Sequence, residues 1–132
     1  MDEHPATVDE LLHEARLGLT RLAPHEADAA CRDGALLIDI RGDHQRDSDG
    51  LVPGAHVIAR NVLEWRLDPE STYRDPACAR RDRLVVLLCD EGYGSSLAAA
   101  TLRRLGLDAT DVDGGFQAWR AAGLPVERAP RA

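Results

Sequence analysis

The sequence contains no lysine, because all 16 of its basic residues are arginines. Schiff-base enzymes, pyridoxal-phosphate enzymes and P-loop nucleotide-binding sites each depend on the amino group of a lysine. The missing residue type therefore excludes these three classes of function before any motif is considered.

Positive charge and long apolar runs are also scarce. The chain has 23 acidic residues and a formal net charge of −7, whereas a nucleic-acid interface needs a basic surface to meet the phosphates. No stretch approaches the roughly 18 consecutive apolar residues of a membrane span. Residues 1–5 are acidic where a signal peptide would be positively charged. We therefore expect a soluble cytoplasmic protein that has neither nucleic acid nor a membrane as its partner.

Cysteine is limited to Cys31, Cys78 and Cys89. An odd number without a Cys-x-x-Cys pair indicates neither a disulfide framework nor a zinc site, so at least one thiol is free. Cys31 falls on a predicted helix and Cys78 in a predicted irregular surface segment, where a cysteine is more often structural. We expect neither a metal nor another cofactor.

The 132 residues suit a single domain, residues 1–132, since one domain usually spans about 100 to 200 residues. Short apolar runs alternate with longer segments of helical period, a pattern that predicts an α/β fold with a parallel sheet. The predicted strands cover residues 19–22, 35–41, 56–59, 84–88 and 109–112. The predicted helices cover residues 7–17, 24–31, 61–67, 97–105 and 116–122, with Ser95 or Ser96 capping the fourth. Residues 42–50 are predicted as a loop, and residues 127–132 as a loose tail.

The segment from Cys89 to Ser96 lies between the most apolar strand and the following helix, where open α/β sheets place their ligands. Gly92 and Gly94 allow the backbone to curl so that successive N–H groups point inward and form an anion-binding nest. A thiol held there is biased towards the thiolate, which is the nucleophilic form. The pattern thus predicts a nucleophile at Cys89; the structural alternative is a small buried cysteine before an ordinary glycine turn.

Four segments, in order and in register, resemble the signature of the single-domain rhodanese family. They are residues 37–41 (LIDIR), 50–55 (GLVPGA), 86–89 (VLLC) with the loop that follows, and 112–119 (VDGGFQAW). The resemblance implies a five-stranded parallel sheet flanked by helices on both faces, and a sulfurtransferase activity. It implies that Cys89 accepts a sulfane sulfur as a persulfide and passes it to a thiophilic acceptor.

The same resemblance assigns roles to the residues around the thiol. Backbone amides of the loop would cradle the persulfide; this loop consists of Asp90, Glu91, Gly92, Tyr93, Gly94 and Ser95. Asp39 and Arg41 match the family's strand-end pair, which supports that loop.

The loop also departs from the family, because many active rhodaneses carry cations there and this one carries Asp90 and Glu91. Two carboxylates disfavour a neighbouring thiolate and repel an anionic donor such as thiosulfate. The expected partner is therefore a persulfidated protein or a small sulfur donor. No arginine lies between Cys89 and Leu102, so a cation must come from elsewhere in the chain, with Arg41, Arg60 and Arg66 as the candidates. Arg60 in particular is predicted at the mouth of the site, although a solvated surface arginine is the alternative.

Two other functions compete with sulfur transfer as explanations of the Cys89 segment. A cysteine-dependent phosphatase needs an arginine six residues after the cysteine to clamp the phosphoryl oxygens, and this position holds Ser95. The alternative that stays open is a catalytically silent rhodanese module that binds a protein or senses oxidants through Cys89.

Overall fold

A sheet of four parallel strands forms the centre of the computed structural model, which describes residues 4–130. The strands are β1 (Leu36–Asp39), β2 (His56–Val57), β3 (Leu84–Leu88) and β4 (Asp108–Asp111), and their order across the sheet is β2-β1-β3-β4. The inner strands β1 and β3 are almost entirely apolar and buried. This composition is typical of parallel strands that are covered on both faces.

Six α-helices surround the sheet in the described part of the chain. They are α1 (Val8–Leu17), α2 (Pro24–Arg32), α3 (Asp43–Asp49), α4 (Leu63–Leu67, after a 3-10 turn at Arg60–Val62), α5 (Gly94–Arg104) and α6 (Gly115–Ala121). Helix α1 begins with a capping box, in which Thr7 Oγ1 accepts from the Glu10 amide and Glu10 Oε1 accepts from the Thr7 amide.

Alternate residues of the inner strands pack into two separate cores. Ile38 and Leu87 face the layer formed by α4 and α5, which contributes Leu63, Leu67 and Leu102. The opposite face of the sheet packs against α2 and α6. Because successive strand residues point to opposite faces, each inner strand contributes apolar side chains to both helical layers. This arrangement confirms the predicted α/β architecture with a parallel sheet.

The predicted fifth strand is wrong, because residues 19–22 form a single β-bridge between Leu22 and Val112 instead of a strand. The Leu22 amide donates to Asp111 O (3.1 Å), and the Asp113 amide donates to Leu22 O (2.8 Å). Pro24 then begins α2, and its fixed φ and missing N–H suit the first turn of a helix. The chain therefore turns away from the sheet after one pairing.

The loop predicted over residues 42–50 is also wrong, since residues 43–49 form α3. The amide of Gly42 is capped by Gln45 Oε1 at 3.2 Å. Every residue of α3 is polar, so the helix has no apolar period from which it could be recognised. Helix α5 begins at Gly94, three residues earlier than predicted, and Ser95 and Ser96 lie inside its first turn instead of capping it.

The segment predicted as a loose tail is anchored at its first residue. Glu127 exchanges two backbone hydrogen bonds with Leu51, at 2.7 and 2.8 Å. Residues 131 and 132 of that segment lie outside the described residues. Cys78, predicted on the surface, is fully buried and packs with the core on the α4–α5 side of the sheet.

Candidate active site

Cys89 follows β3 directly, and its side chain lies at the carboxyl edge of the sheet, partly exposed. The amides of Gly92 and Ser95 donate to its sulfur at 3.1 and 3.4 Å. The thiol itself donates to Ser95 Oγ at 3.1 Å, and this hydroxyl donates onward to Asp111 Oδ2 at 2.7 Å. The sulfur is therefore held by backbone donors and connected through one hydroxyl to a buried carboxylate.

The loop after Cys89 curls so that two of its N–H groups, those of Gly92 and Ser95, point at the sulfur. Gly92 has a φ of +86°, and a Cβ at this position would lie 2.8 Å from the backbone nitrogen of Gly114. The carbonyls of Cys89 and Asp90 accept from the amides of Phe116 (2.8 Å) and Gln117 (3.1 Å) at the start of α6. Helix α6 thus satisfies the first two carbonyl groups of the loop.

The carbonyl of Gly92 is held by two arginines from the N-terminal part of the chain. Arg16 Nη2 donates to it at 2.7 Å and Arg21 Nη2 at 2.8 Å. Arg16 Nε also donates to Ser96 Oγ at 3.0 Å. Neither arginine was among the predicted site residues, since both are far from Cys89 in the sequence.

Arg21 forms a two-pronged ion pair with Asp111, whose side chain is completely buried. Its Nε and Nη2 atoms lie 2.9 and 3.1 Å from the two carboxylate oxygens. Burial disfavours the charge of Arg21, but the hydrogen bonds and the charge of Asp111 outweigh burial and raise the pKa of this guanidinium above its ordinary value. The thiolate form of Cys89 acts on Arg21 in the same direction. One signal for this network was present in the sequence: an acid within a predicted strand needs a buried partner.

A cleft of about 410 Å³ opens above Cys89 and carries charges of both signs. Arg60 lines it and is paired with Glu64 through contacts of 2.8 and 3.0 Å. Asp90 accepts from Gln117 Nε2 at 2.9 Å. The other lining residues are Ile40, Arg41, Gln45, Glu91, Tyr93 and Gly94. Arg66 donates to the carbonyl of Tyr73 (2.8 Å) and is not among the lining residues of this cleft.

Asp39 and Arg41 form a buried ion pair, with 2.8 Å between Arg41 Nη2 and Asp39 Oδ2. Their hydrogen bonds continue to the carbonyl of Gly50 (2.8 Å) at the end of α3, and not to the loop after Cys89. The Arg41 guanidinium lies 3.8 Å from the ring centre of Phe116, whose amide binds the Cys89 carbonyl. The pair therefore contacts the loop through Phe116, because the Arg41 guanidinium stacks on the ring of that residue.

Burial and neighbouring carboxylates act on the thiols of the other two cysteines. Burial, with a smaller contribution from Asp28, raises the pKa of Cys31 to about 11. Burial raises the pKa of Cys78 likewise to about 11, with Asp75 adding to the effect. Both side chains are therefore neutral thiols near pH 7, the form that is a poor nucleophile.

Residues 4–130 show neither a cluster of metal-ligating side chains nor a helix suited to a membrane. No three or more His, Cys, Asp or Glu side chains are grouped so that they could hold a metal ion. None of the helices described has the length and apolar character needed to cross a membrane.

The family model for the rhodanese-like domain matches residues 23–122. The chain belongs to the rhodanese-like domain family. This result confirms the resemblance that the four sequence segments indicated. The matched range contains Cys89, its loop and all four strands, whereas α1, Arg16 and Arg21 lie before it.

Individual relatives of this rhodanese-like chain cover most of its length. A protein from Pseudomonas savastanoi pv. phaseolicola named thiosulfate sulfurtransferase GlpE is 34% identical over 102 residues, which are 76% of this chain and 87% of that protein. A protein of the same name from Actinobacillus succinogenes is 33% identical over 116 residues, 86% of this chain and 95% of that protein. A solved structure from Rhodopseudomonas palustris CGA009 is 33% identical with a TM-score of 0.85, and the match covers 96% of this chain and 99% of that chain. That protein is described as of unknown function and a possible tyrosine phosphatase.

Proposed function

We propose that this rhodanese-like chain is a sulfurtransferase that carries a sulfane sulfur on Cys89. The observation that carries the proposal is the pair of backbone amides, those of Gly92 and Ser95, that donate to the Cys89 sulfur. Such donors stabilise negative charge on sulfur, which a thiolate has before transfer and a persulfide has after it. The relatives named thiosulfate sulfurtransferase support the same reaction class.

The reaction takes place in two displacements that leave the protein unchanged. In the first, the Cys89 thiolate attacks the outer sulfur of the donor, a new S–S bond forms, and the S–S bond of the donor breaks. The donor leaves as sulfite if it is thiosulfate, or as a thiolate if it is a persulfide. In the second, a thiophilic acceptor attacks the outer sulfur of the Cys89 persulfide, and Cys89 leaves as a thiolate.

The charges in the cleft favour a persulfide donor over thiosulfate. Asp90 and Glu91 line the cleft together with Arg60, and the charge of Arg60 is already shared with Glu64. A doubly negative donor such as thiosulfate gains little from a cation that is already paired and is repelled by both carboxylates. A persulfide group carries a single negative charge and pays a smaller electrostatic penalty.

Mass spectrometry of the tryptic peptides tests the proposal. Cleavage after arginine separates Cys31, Cys78 and Cys89 onto three peptides, and residues 84–103 contain only Cys89. After incubation with glutathione persulfide, this peptide is expected to gain the mass of one sulfur atom, and dithiothreitol is expected to remove it. Incubation with thiosulfate is expected to load less. If neither donor adds sulfur to this peptide, the silent or oxidant-sensing module becomes the better description.

The variant Cys89→Ser is expected to lose sulfur transfer completely and to keep its fold, because the change removes the nucleophile and little volume. Transfer to cyanide, followed as thiocyanate, measures the activity, and circular dichroism measures the fold. Cys31→Ser is the matched control, since it removes a thiol whose pKa is raised by burial. Turnover that persists in Cys89→Ser would show that another thiol carries the sulfur.

Phosphatase activity is a separate test, prompted by the description of the Rhodopseudomonas palustris protein. Ser95 stands where a cysteine-dependent phosphatase needs its arginine, and the Ser95 hydroxyl is already bound to Asp111. We expect no hydrolysis of p-nitrophenyl phosphate under conditions in which Cys89 accepts sulfur.

A further inference from the structure

The loop after Cys89 has no cation of its own, but two guanidinium groups lie next to it. Arg16 belongs to the last turn of α1, and Arg21 lies between α1 and α2. Both precede residues 23–122, the part of the chain that matches the family. The cations are therefore supplied by residues that precede the matched range.

The contact of both arginines with one carbonyl group fixes the orientation of Gly92. Its carbonyl oxygen accepts from Arg16 and Arg21, at 2.7 and 2.8 Å. Its N–H donates to the Cys89 sulfur at 3.1 Å. Glycine has no Cβ to restrict its dihedral angles, and Gly92 stands at a φ of +86°. The N–H and the carbonyl belong to the two peptide groups on either side of the Gly92 Cα. Holding the oxygen anchors one of these groups and so restricts the rotations that would turn the N–H away from the sulfur.

Asp111 connects Arg21 to Ser95, the other residue whose amide donates to the sulfur. Its Oδ2 atom accepts from the hydroxyls of Ser95 and Ser96 at 2.7 and 2.8 Å, and it also meets Arg21. The carboxylate has no exposed surface, so its charge depends on Arg21 for compensation. Removing Arg21 would thus disturb Gly92 and Ser95 together.

We propose that Arg16 and Arg21 are positioning residues for the chemistry of Cys89. They hold the Gly92 carbonyl and so help to keep the Gly92 N–H on the sulfur. They also place positive charge next to a loop whose only charged side chains are acidic. The role in sulfur transfer rests on the proposed function, whereas the effect on the Cys89 thiolate does not. Without these two residues, the same loop would have a nucleophile with weaker stabilisation of its negative charge.

The competing explanation is that the two arginines only attach α1 and the following segment to the rest of the fold. That role would lower the stability of a variant without changing the chemistry of the thiol. The rate at which iodoacetamide alkylates Cys89, measured from about pH 6 to 9, separates the two explanations because only the thiolate reacts. Peptide mass spectrometry of residues 84–103 assigns the reaction to Cys89.

The variants Arg16→Gln and Arg21→Gln each remove one positive charge and one donor to Gly92. We expect each to slow alkylation of Cys89 near pH 7 by about three- to tenfold and to move the pH–rate profile to higher pH, as the loss of one nearby charge predicts. Arg21→Lys keeps the charge and is expected to recover part of the rate. Arg32→Gln is the matched control, because it removes one positive charge from a side chain that pairs with Asp28 on α2.

Thermal unfolding of every variant is measured alongside the alkylation rate. If Arg16→Gln and Arg21→Gln unfold earlier but alkylate like Arg32→Gln, the proposal is overturned and both arginines are structural. Arg16 does not pair with the buried Asp111, so its replacement is expected to destabilise the fold less. If Arg21→Gln does not fold, the alkylation rate of Arg16→Gln tests the proposal. Loading with glutathione persulfide is followed separately: a shifted alkylation profile in a protein that accepts no sulfur would refute the sulfurtransferase and leave the positioning role intact.

Discussion

Few side chains set the charge that a donor meets at the mouth of the cleft. Arg60 is paired with Glu64, and Asp90 is bound by Gln117. Glu91 lines the same cleft and is exposed. Of these groups, Glu91 is the carboxylate best placed to act on an incoming anion, because its charge is the least compensated.

The variant Glu91→Gln tests this assignment. We expect it to accelerate loading of Cys89 from thiosulfate by about two- to threefold at low salt, because one repulsive charge is removed from the path of the donor. The gain should shrink as ionic strength rises. Asp108→Asn is the matched control, since Asp108 is exposed at the start of β4, at the opposite edge of the sheet. An equal gain in the control would assign the effect to overall charge.

The start of α6 and the loop after Cys89 form one packed unit. Gly115 is the first residue of α6 and has a φ of +61°. A Cβ at this position would lie 2.6 Å from the Cys89 carbonyl oxygen and 2.7 Å from the Asp90 carbonyl. The close approach lets the amides of Phe116 and Gln117 reach those carbonyls. The glycine therefore allows α6 to hold the backbone of Cys89 and Asp90 in place.

The variant Gly115→Ala is therefore expected to lower the free energy of unfolding by about 2–4 kcal/mol, from an unfavourable φ and a backbone clash together. Gly123→Ala separates the two causes, because Gly123 has a φ of +76° but no atom within 4 Å of the added Cβ. The control is expected to lose only about 1 kcal/mol. Urea denaturation measures both, and equal losses would contradict a clash with the Cys89 loop.

The stability of the whole molecule is tied to pH through its buried thiols. Burial raises the pKa of Cys31 and Cys78 to about 11 from an ordinary value of 9.0. Above about pH 9 the unfolded chain loses these protons while the folded chain keeps them. The chain contains no lysine to titrate in this range, so the thiols contribute a large part of the pH dependence.

The free energy of unfolding is consequently expected to fall as pH rises from about 9 to 11, by about 1–3 kcal/mol in total. Cys78→Ser should weaken this dependence, since a serine hydroxyl does not titrate there, although the variant itself is less stable at every pH. Urea denaturation at several pH values provides the measurement. The same slope in wild type and variant would show that Cys78 does not contribute.

A strand or helix could be predicted from the sequence where its residues show a continuous apolar run or a regular apolar period. Strands β1 and β3 are marked by continuous apolar runs, and they hold the family motifs as well. Helix α3 has no apolar face, so its seven polar residues read as a loop. The fifth strand failed because residues 19–22 have the composition of a strand, while the chain leaves the sheet after Leu22. An apolar composition favours pairing with a neighbouring strand, but it does not determine how many residues form the pairing.

The placement of Cys89 at the end of a buried strand, before a glycine turn and a helix, follows from neighbouring residues alone. The source of its positive charge does not. Arg16 and Arg21 are separated from Gly92 by 76 and 71 positions, and they meet it because α1 packs against α5 and Leu22 joins the sheet at Val112. The spacing of residues in the sequence does not predict contacts over such separations, because these contacts depend on how whole helices and strands pack together. A chain without lysine thus has only guanidinium groups as permanent side-chain cations, and tertiary packing decides which of them reach the loop after Cys89.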